Sequence, residues 1–445
     1  LLCLAVAACA PPNPRKPGGT TQEQTSSLPG RDELRPNIPT RRAVPPPLPT
    51  RPLREEPLSP GEIVLKPPPG WENRVPVGLL LPLSGPRAAL GQSLLDAAQL
   101  ALFEVADKNF VLMPRDTGGT PAGARKAAES AVESGAKLIL GPVFAASAIE
   151  AISAVGSKGV NMLAFTNNRA AAGRGTFVMG FLPAQRIRRV VSLAASKGAQ
   201  QFTALLPEGA YGDGAQRAFI EAVASVGAQV VRIERYKGGT EAKAVKRLGN
   251  YDARRAALLQ QRKLLTEKDD AISKRALKRL EKLETLGDVE FDAVLLLETG
   301  EALKGLAPLL PYYDIDTRKV RILGINDWSA RSLRREPTLA GAWYASPSHE
   351  ASAAFAKRYR QIYARRPSPL AALAYDATAL AAVLASREGS RDFSVDSLAA
   401  SNGFAGSAGL FRLLRSGLVE HSYAVYEVRP GGVTIVSEAP QAFGA

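Results

Sequence analysis

From residue 77 onward the chain alternates short apolar runs with segments of helical period, and that alternation admits few folds. Residues 77–81 read Val-Gly-Leu-Leu-Leu, an unbroken apolar run of the kind a strand buried on both faces shows. A Pro-Leu-Ser-Gly-Pro loop follows at 82–86, and residues 91–107 carry Leu94, Leu95, Ala98, Leu102 and Val105 at helical spacing. The unit recurs, with strands expected at 111–113, 137–140 and 160–165 and helices at 121–134 and 145–156. A second set begins near Pro183, with a helix to Lys197, strands at 202–206 and 229–236 and a helix over 215–226. Strands at 293–297 and 320–325, helices at 351–364 and 371–387, and a late sheet-edge region from 403–410 into 423–428 complete the pattern. Such alternation predicts an α/β fold of mostly parallel sheets covered by helices, and two sets of units predict two lobes.

Residues 240–288 break the rhythm. They hold 13 Lys and Arg against 8 Asp and Glu, a net of +5, and no proline. Leu248, Tyr251, Leu258, Leu265, Ile272, Leu280 and Leu283 recur at roughly helical spacing, which predicts a helical insertion standing off the second lobe, with residues 266–269 capping a second helix. Its charge suits a partner or an anionic wall polymer, and equally suits a solvated face packed by its leucine stripe.

Ahead of the α/β part, residues 10–76 contain eighteen of the 33 prolines and no sustained apolar period, so they cannot build a core. Such a stretch reads as a tether that spans at most roughly 200 Å when extended. Both cysteines, Cys3 and Cys9, fall in the apolar opening at 1–9, which leaves the α/β part without a disulfide framework or a thiolate metal site. That opening is too short to span a bilayer and ends in small residues, as a secretion signal does. It has no initiator methionine and no basic region before it, so Leu1 is expected to lie inside the apolar core of a longer signal. Val6-Ala7-Ala8-Cys9 resembles the bacterial lipobox, which makes Cys9 the expected lipidation site; an incidental cysteine in an ordinary signal is the alternative. Ala10 rather than an aspartate resembles outer-membrane retention.

The net charge of +15 favours encounter with anionic polymers or lipid surfaces. Without zinc-finger spacing or an aromatic-interleaved basic motif, it does not predict specific nucleic-acid binding. Catalytic constellations are lacking too. His349 and His421 are the only histidines, far apart, and give no paired-histidine metal signature. Ser134-Gly135-Ala136-Lys137 matches a Ser-x-x-Lys pattern by letters only, because its glycine ends a helix. Gly212-Asp213-Gly214 lacks the third glycine of a dinucleotide loop. The expectation is a non-enzyme with no cofactor and no metal.

Several segments together resemble the penicillin-binding protein activator family, of the outer-membrane lipoprotein type, whose type I periplasmic-binding-protein fold is related to the leucine/isoleucine/valine-binding proteins. They are residues 77–85 with Gly91-Gln92 and Ala97-Ala98-Gln99-Leu100-Ala101 behind them, Asp116-Thr117-Gly118-Gly119-Thr120, Leu140-Gly141-Pro142-Val143, Ala164-Phe165-Thr166-Asn167-Asn168, Tyr211-Gly212, Ala374-Tyr375-Asp376-Ala377 and Gly403-Phe404-Ala405-Gly406. Each is weak alone; their order and spacing over residues 76–435 carry the resemblance.

The resemblance implies two lobes joined by crossing strands, with a signal at 1–9, a tether at 10–75, a first lobe from 76–184 and 326–402, and a second from 185–325 and 403–438. Ligands of open α/β sheets sit beyond the carboxyl ends of the strands, where helix N-termini present free N–H groups. The cleft candidates are therefore Ser84, Gly85, Phe144, Ser147, Thr166 and Asn167, with Tyr211 matching a cleft aromatic of the amino-acid binders and Glu298 placed to meet an ammonium. Ser84, Gly85 and Thr166 equally serve tight turns and caps. Two functions follow as expectations. One is a regulatory lipoprotein of the bacterial envelope, in the outer membrane facing the periplasm, that activates a peptidoglycan synthase. The other is a lipid-anchored receptor that passes an amino acid or related metabolite to an ABC transporter or sensor.

Overall fold

A computed structural model describes residues 73–443 except 174, 269, 331 and 387–391. Cys3, lipidation candidate Cys9 and the proline-rich stretch through residue 72 lie outside the described residues.

The first lobe is built from β1 (Val75–Leu81), α1 (Ala88–Val105), β2 (Phe110–Asp116), α2 (Pro121–Glu133), β3 (Leu138–Leu140), α3 (Ala145–Val155), β4 (Asn161–Ala164) and β5 (Thr176–Val178). Its five strands run parallel in the order β2-β1-β3-β4-β5. Strand β1 lies between β2 and β3, helices α1 and α2 pack against it, and Leu79, Leu80 and Leu81 are fully buried. That is the physical content of the unbroken apolar run.

The chain then crosses to the second lobe through α4 (Pro183–Ser196), β6 (Gln201–Pro207), α5 (Ala210–Ser225) and β7 (Gln229–Tyr236). After the charged insertion of α6 (Glu241–Leu248), α7 (Tyr251–Lys268) and α8 (Ala271–Leu280) come β8 (Ala293–Leu296), α9 (Gly300–Leu306), α10 (Leu309–Tyr312), β9 (Arg321–Gly324) and β10 (Trp343–Ser346). The chain returns to the first lobe with α11 (His349–Tyr363), α12 (Ala371–Ser386), α13 (Val395–Leu398) and a small antiparallel ladder, β11 (Phe404–Gly406), β12 (Gly409–Leu413) and β13 (Val419–His421). A third crossing leads to β14 (Ala424–Arg429) and β15 (Gly432–Ser437), which finish a seven-stranded sheet in the order β15-β14-β10-β9-β8-β6-β7. Strands β6 to β10 pair in parallel; β14 and β15 are antiparallel.

The crossings fall at different places than expected. Residues 326–402 were expected in the first lobe, yet Trp343–Ser346 pairs with β9 and β14 in the second sheet. Residues 403–438 were expected in the second lobe, yet Phe411, Leu413 and Val419 are buried in the first lobe's core and Val178 bridges Leu418. A run as short as Trp-Tyr-Ala-Ser does not show in sequence which sheet it joins; pairing decides that.

In the insertion, α6 buries Ala244, Val245 and Leu248 against the second lobe, whereas α7 buries only Leu258 and α8 only Ser273. The expected leucine stripe is incomplete, because Ile272 is 80% exposed. The cap of α8 is Asp270, which accepts the Ile272 and Ser273 N–H groups at 2.8 Å each, one residue beyond the expected segment. Arg254 fastens the base of α7 by donating to the carbonyls of Gly249, Gly287 and Asp314 at 2.7–3.2 Å.

Candidate functional site

The carboxyl ends of the two sheets carry the polar residues that stand between the lobes. On the first lobe, Asp116 at the end of β2 accepts the N–H groups of Leu83 (2.8 Å), Ser84 (3.2 Å) and Gly118 (2.8 Å). Burial opposes its ionisation, but the Ser84 side chain and these amides outweigh that and hold the carboxyl below its ordinary range. Ser84 and Gly85 are thus exposed members of a loop pinned by Asp116, and Gly85 adopts φ +75°, which a side chain disfavours. Asp116 lies in one of the matching segments, but only the folded loop reveals that it organises this edge.

Phe144 follows β3 and sits in extended conformation at the N-cap of α3 without a side-chain cap. The first-turn amides of α3 therefore lack intrahelical acceptors. Ser147, in that turn, is 1% exposed, and its Oγ has no hydrogen-bond partner among the described residues. Thr166, after β4, is buried; its hydroxyl accepts the Asn168 N–H at 3.1 Å and its carbonyl the Gly180 N–H at 2.9 Å, so it closes a turn. Asn167 is exposed.

On the second lobe, Glu298 follows β8 and Tyr236 ends β7, and the Tyr236 hydroxyl donates to Glu298 Oε1. Burial, then that bond, pushes the phenol above its ordinary pKa. The Trp328 indole donates to the Glu298 carbonyl at 3.0 Å. Tyr211, in the first turn of α5, is 47% exposed and lies beside Asn326, which donates to the Leu297 carbonyl at 2.6 Å. Burial raises the Tyr211 phenol as well. A cavity of about 320 Å³ opens beside this group, lined by Tyr236, Glu241, Glu298 and Glu301 among others.

Sequence reasoning missed the residues at the crossings. Arg186 of α4 donates to the Ile325 carbonyl at 2.8 Å and stacks over Phe181 and Tyr423, at 5.1 and 5.3 Å from the ring centroids. His349 opens α11 against Asp327, with Nε2 and Oδ1 3.4 Å apart, and stacks on Tyr426 at 3.9 Å. Although burial opposes it, the adjacent His349 imidazole and the Ser329 N–H hold the Asp327 carboxyl down to about 2. A lone arginine on a helix or a lone histidine after a strand carries no sequence signal for such a position.

The structure therefore assembles Tyr211 and Glu298 with Tyr236, Asn326 and Arg186 on one edge, and Ser84, Gly85 and Phe144 with Asp116 on the other. Among the described residues, no hydrogen bond joins the two edges. The first-lobe candidates offer amides and hydroxyls without a formal charge, and the second-lobe candidates include one carboxylate. No group of three His, Cys, Asp or Glu among the described residues is placed to hold a metal ion.

A family model described as periplasmic binding protein matches residues 74–247. An uncharacterized protein of Rickettsia prowazekii (strain Madrid E) is 23% identical over 181 residues, 40% of this chain and 48% of the relative, so the chain spans about half of that relative's length. A crystal structure assigned to a branched-chain amino acid ABC transporter of Rhodospirillum rubrum matches with a TM-score of 0.64 at 19% identity, covering 82% of this chain and 100% of the other. An ABC transporter substrate-binding protein of Desulfitobacterium hafniense, solved in complex with Leu, matches with a TM-score of 0.54 at 17% identity, again over 82% and 100%. The chain thus has the two-lobed type I periplasmic-binding-protein fold, the fold of the branched-chain amino acid binding proteins.

Proposed function

We propose that the folded module is a non-catalytic receptor whose lobes close on a small zwitterionic solute, an amino acid or a related metabolite. The observation that carries this reading is the pairing of an acid on the second-lobe edge with free hydrogen-bond donors on the first-lobe edge. Glu298 supplies one carboxylate for an ammonium. The first turn of α3 supplies free N–H groups and the unpartnered Ser147 hydroxyl for a carboxylate. Tyr211 covers the solute from the second lobe. In this reading the module is displayed in the bacterial envelope from an acylated Cys9 on the proline-rich tether, and serves a transporter or a sensor.

A second reading, regulation of a peptidoglycan synthase, is favoured by one observation: Glu298 already has a hydrogen-bond donor in Tyr236, so the cleft holds its own charge without a solute. In that case a face of the module binds the synthase and shifts its population toward an active state.

A thermal-shift screen of the amino acids at about 1 mM separates the two, since saturating ligand stabilises by about 2.7 kcal/mol at a hundredfold excess over Kd. The receptor reading expects at least one amino acid to raise the melting temperature, with the rise lost in Glu298→Gln. No shift with any amino acid, together with faster glycan polymerisation by an added synthase, would decide for the regulator.

A further inference from the structure

The positive excess of the insertion resolves into two populations. The arginines of α7 are engaged: Arg254 binds three carbonyls, Arg262 donates to the carbonyls of Leu280 and Leu283, and Arg255 pairs with Glu284 at 2.8 Å. Those of α8 are not. Lys274, Arg275, Lys278 and Arg279 are exposed, and Lys282 continues the row just beyond the helix. Among the described residues, Arg275, Lys278, Arg279 and Lys282 enter no ion pair or hydrogen bond. Arg275 and Arg279 are like charges four residues apart on a helix, an arrangement that costs stability when nothing neutralises it.

A second feature lies beside this row. Ile272, in the first turn of α8 next to the α7–α8 turn, is 80% exposed, and Leu264 near the end of α7 is 47% exposed. The α7–α8 pair buries almost nothing in the lobe, so these side chains are not the margin of a core.

We propose that the α7–α8 hairpin is a docking surface for an anionic lipid bilayer. Lys274, Arg275, Lys278, Arg279 and Lys282 lie among the headgroups, and Ile272 enters the boundary with the acyl chains. The charge fits: cations held near an anionic surface attract it additively, without a fixed register. The apolar content fits as well. A protein partner of stable affinity is held by a desolvated core of many side chains, whereas a bilayer needs only a few apolar side chains to reach past the headgroups. The surface is independent of the cleft.

The test uses the full chain carrying Cys9→Ser, so that no acyl group contributes, in co-sedimentation with vesicles of phosphatidylcholine alone or mixed with phosphatidylglycerol. Binding is expected only to the mixed vesicles, and at least tenfold weaker when salt rises from about 0.05 to about 0.5 M. Replacing Arg275, Lys278, Arg279 and Lys282 together by glutamate is expected to weaken it at least tenfold. The same four positions changed to glutamine are also expected to weaken it at least tenfold, since each cation contributes about 1 kcal/mol near an anionic surface, and Ile272→Ser about threefold. Unchanged thermal unfolding in the glutamine variant confirms that the fold is kept. Equal binding to neutral and anionic vesicles, or α8 variants that bind as the parent does, overturns the proposal. Capture by polyglutamate without vesicle binding also overturns it, in favour of an acidic protein partner.

Discussion

Tyr236 hydrogen-bonds Glu298 across two strand positions of the second sheet, from edge strand β7 to β8, with β6 between them. The bond engages one carboxylate oxygen with a phenol that stays protonated well beyond neutral pH. A solute ammonium must share that oxygen or take the other one. Removing the phenol leaves Glu298 less satisfied in the unliganded protein, and a bond to a charged group is worth about 1.5–3 kcal/mol. Tyr236→Phe is therefore expected to tighten binding of a zwitterionic solute up to about tenfold, whereas Glu298→Gln weakens it by tenfold or more. Isothermal titration of both variants checks this, and a loss of affinity in both would make Tyr236 a positioning residue instead.

Asp376 on α12 accepts the Ser407 N–H at 2.6 Å and ties the helix to the ladder of β11, β12 and β13. The fit is close: a methyl group on Gly406 would stand 2.7 Å from the carboxyl oxygen. Burial raises the Asp376 pKa from 3.8 to about 7, and the Ser407 bonds and the Arg358 charge offset only part of this. The folded protein thus keeps a proton that the unfolded chain releases above about pH 4. Its stabilising effect is complete below that pH and declines by up to about 1.4 kcal/mol per unit until the pH passes about 7. Relative to the parent, Asp376→Asn is expected to gain stability steadily from pH 4 to 7 in urea unfolding. A difference that does not change with pH would show that Asp376 ionises freely in the folded state.

His421 works in the opposite sense. It is buried at the third crossing, with Nε2 3.1 Å from the Met179 carbonyl, and burial lowers its pKa from 6.5 to about 4. Its neutral form contributes stability that is complete above about 6.5 and lost as the pH falls to about 4, again at up to about 1.4 kcal/mol per unit. From these two groups, the parent is expected to show nearly level stability between pH 4 and 6.5, one slope cancelling the other. His421→Gln exposes the Asp376 slope, so its stability falls as pH rises through that window. Asp376→Asn exposes the His421 slope and rises. Parallel pH profiles for the two variants would contradict this account.

How much of this was legible in the sequence follows from how local each feature is. The Leu79–Leu81 run announces a doubly buried strand because burial on both faces leaves no polar position. Tyr211 and Glu298 could be flagged because each stands just past a recognisable strand. Tyr236 could not, since β7 is only partly buried over most of its length and its last residue is distinguished by a contact with a residue 62 positions away. Asp376 lies in a matching segment, but its burial comes from Gly406 and Ser407, which approach only once the ladder folds back on α12. The lobe crossings failed for the same reason, because the partners of Trp343–Ser346 lie both before and after it in the chain.

Asp96 joins the beginning of the first lobe to its end. It is 3% exposed on α1 and accepts the Tyr359 hydroxyl at 2.8 Å and the Arg365 Nε at 3.0 Å, while its carbonyl accepts the Tyr363 hydroxyl at 2.8 Å. The Arg365 side chain is half exposed, so solvent screens most of that ion pair and it contributes little. The buried phenol matters more. Without Asp96, the nearest acceptors for the fully buried Tyr359 hydroxyl are the Ser93 oxygens at 3.3 and 3.4 Å. Asp96→Ala is therefore expected to cost about 2–4 kcal/mol, for lost packing and an under-satisfied hydroxyl, and Tyr359→Phe about 1 kcal/mol. In the double variant the hydroxyl is gone along with its acceptor, so its cost should fall short of the sum by about 1 kcal/mol or more. Urea unfolding of the four proteins measures the cycle. Strict additivity would mean that the Asp96 side chain acts through Arg365 and Gln92, not through Tyr359.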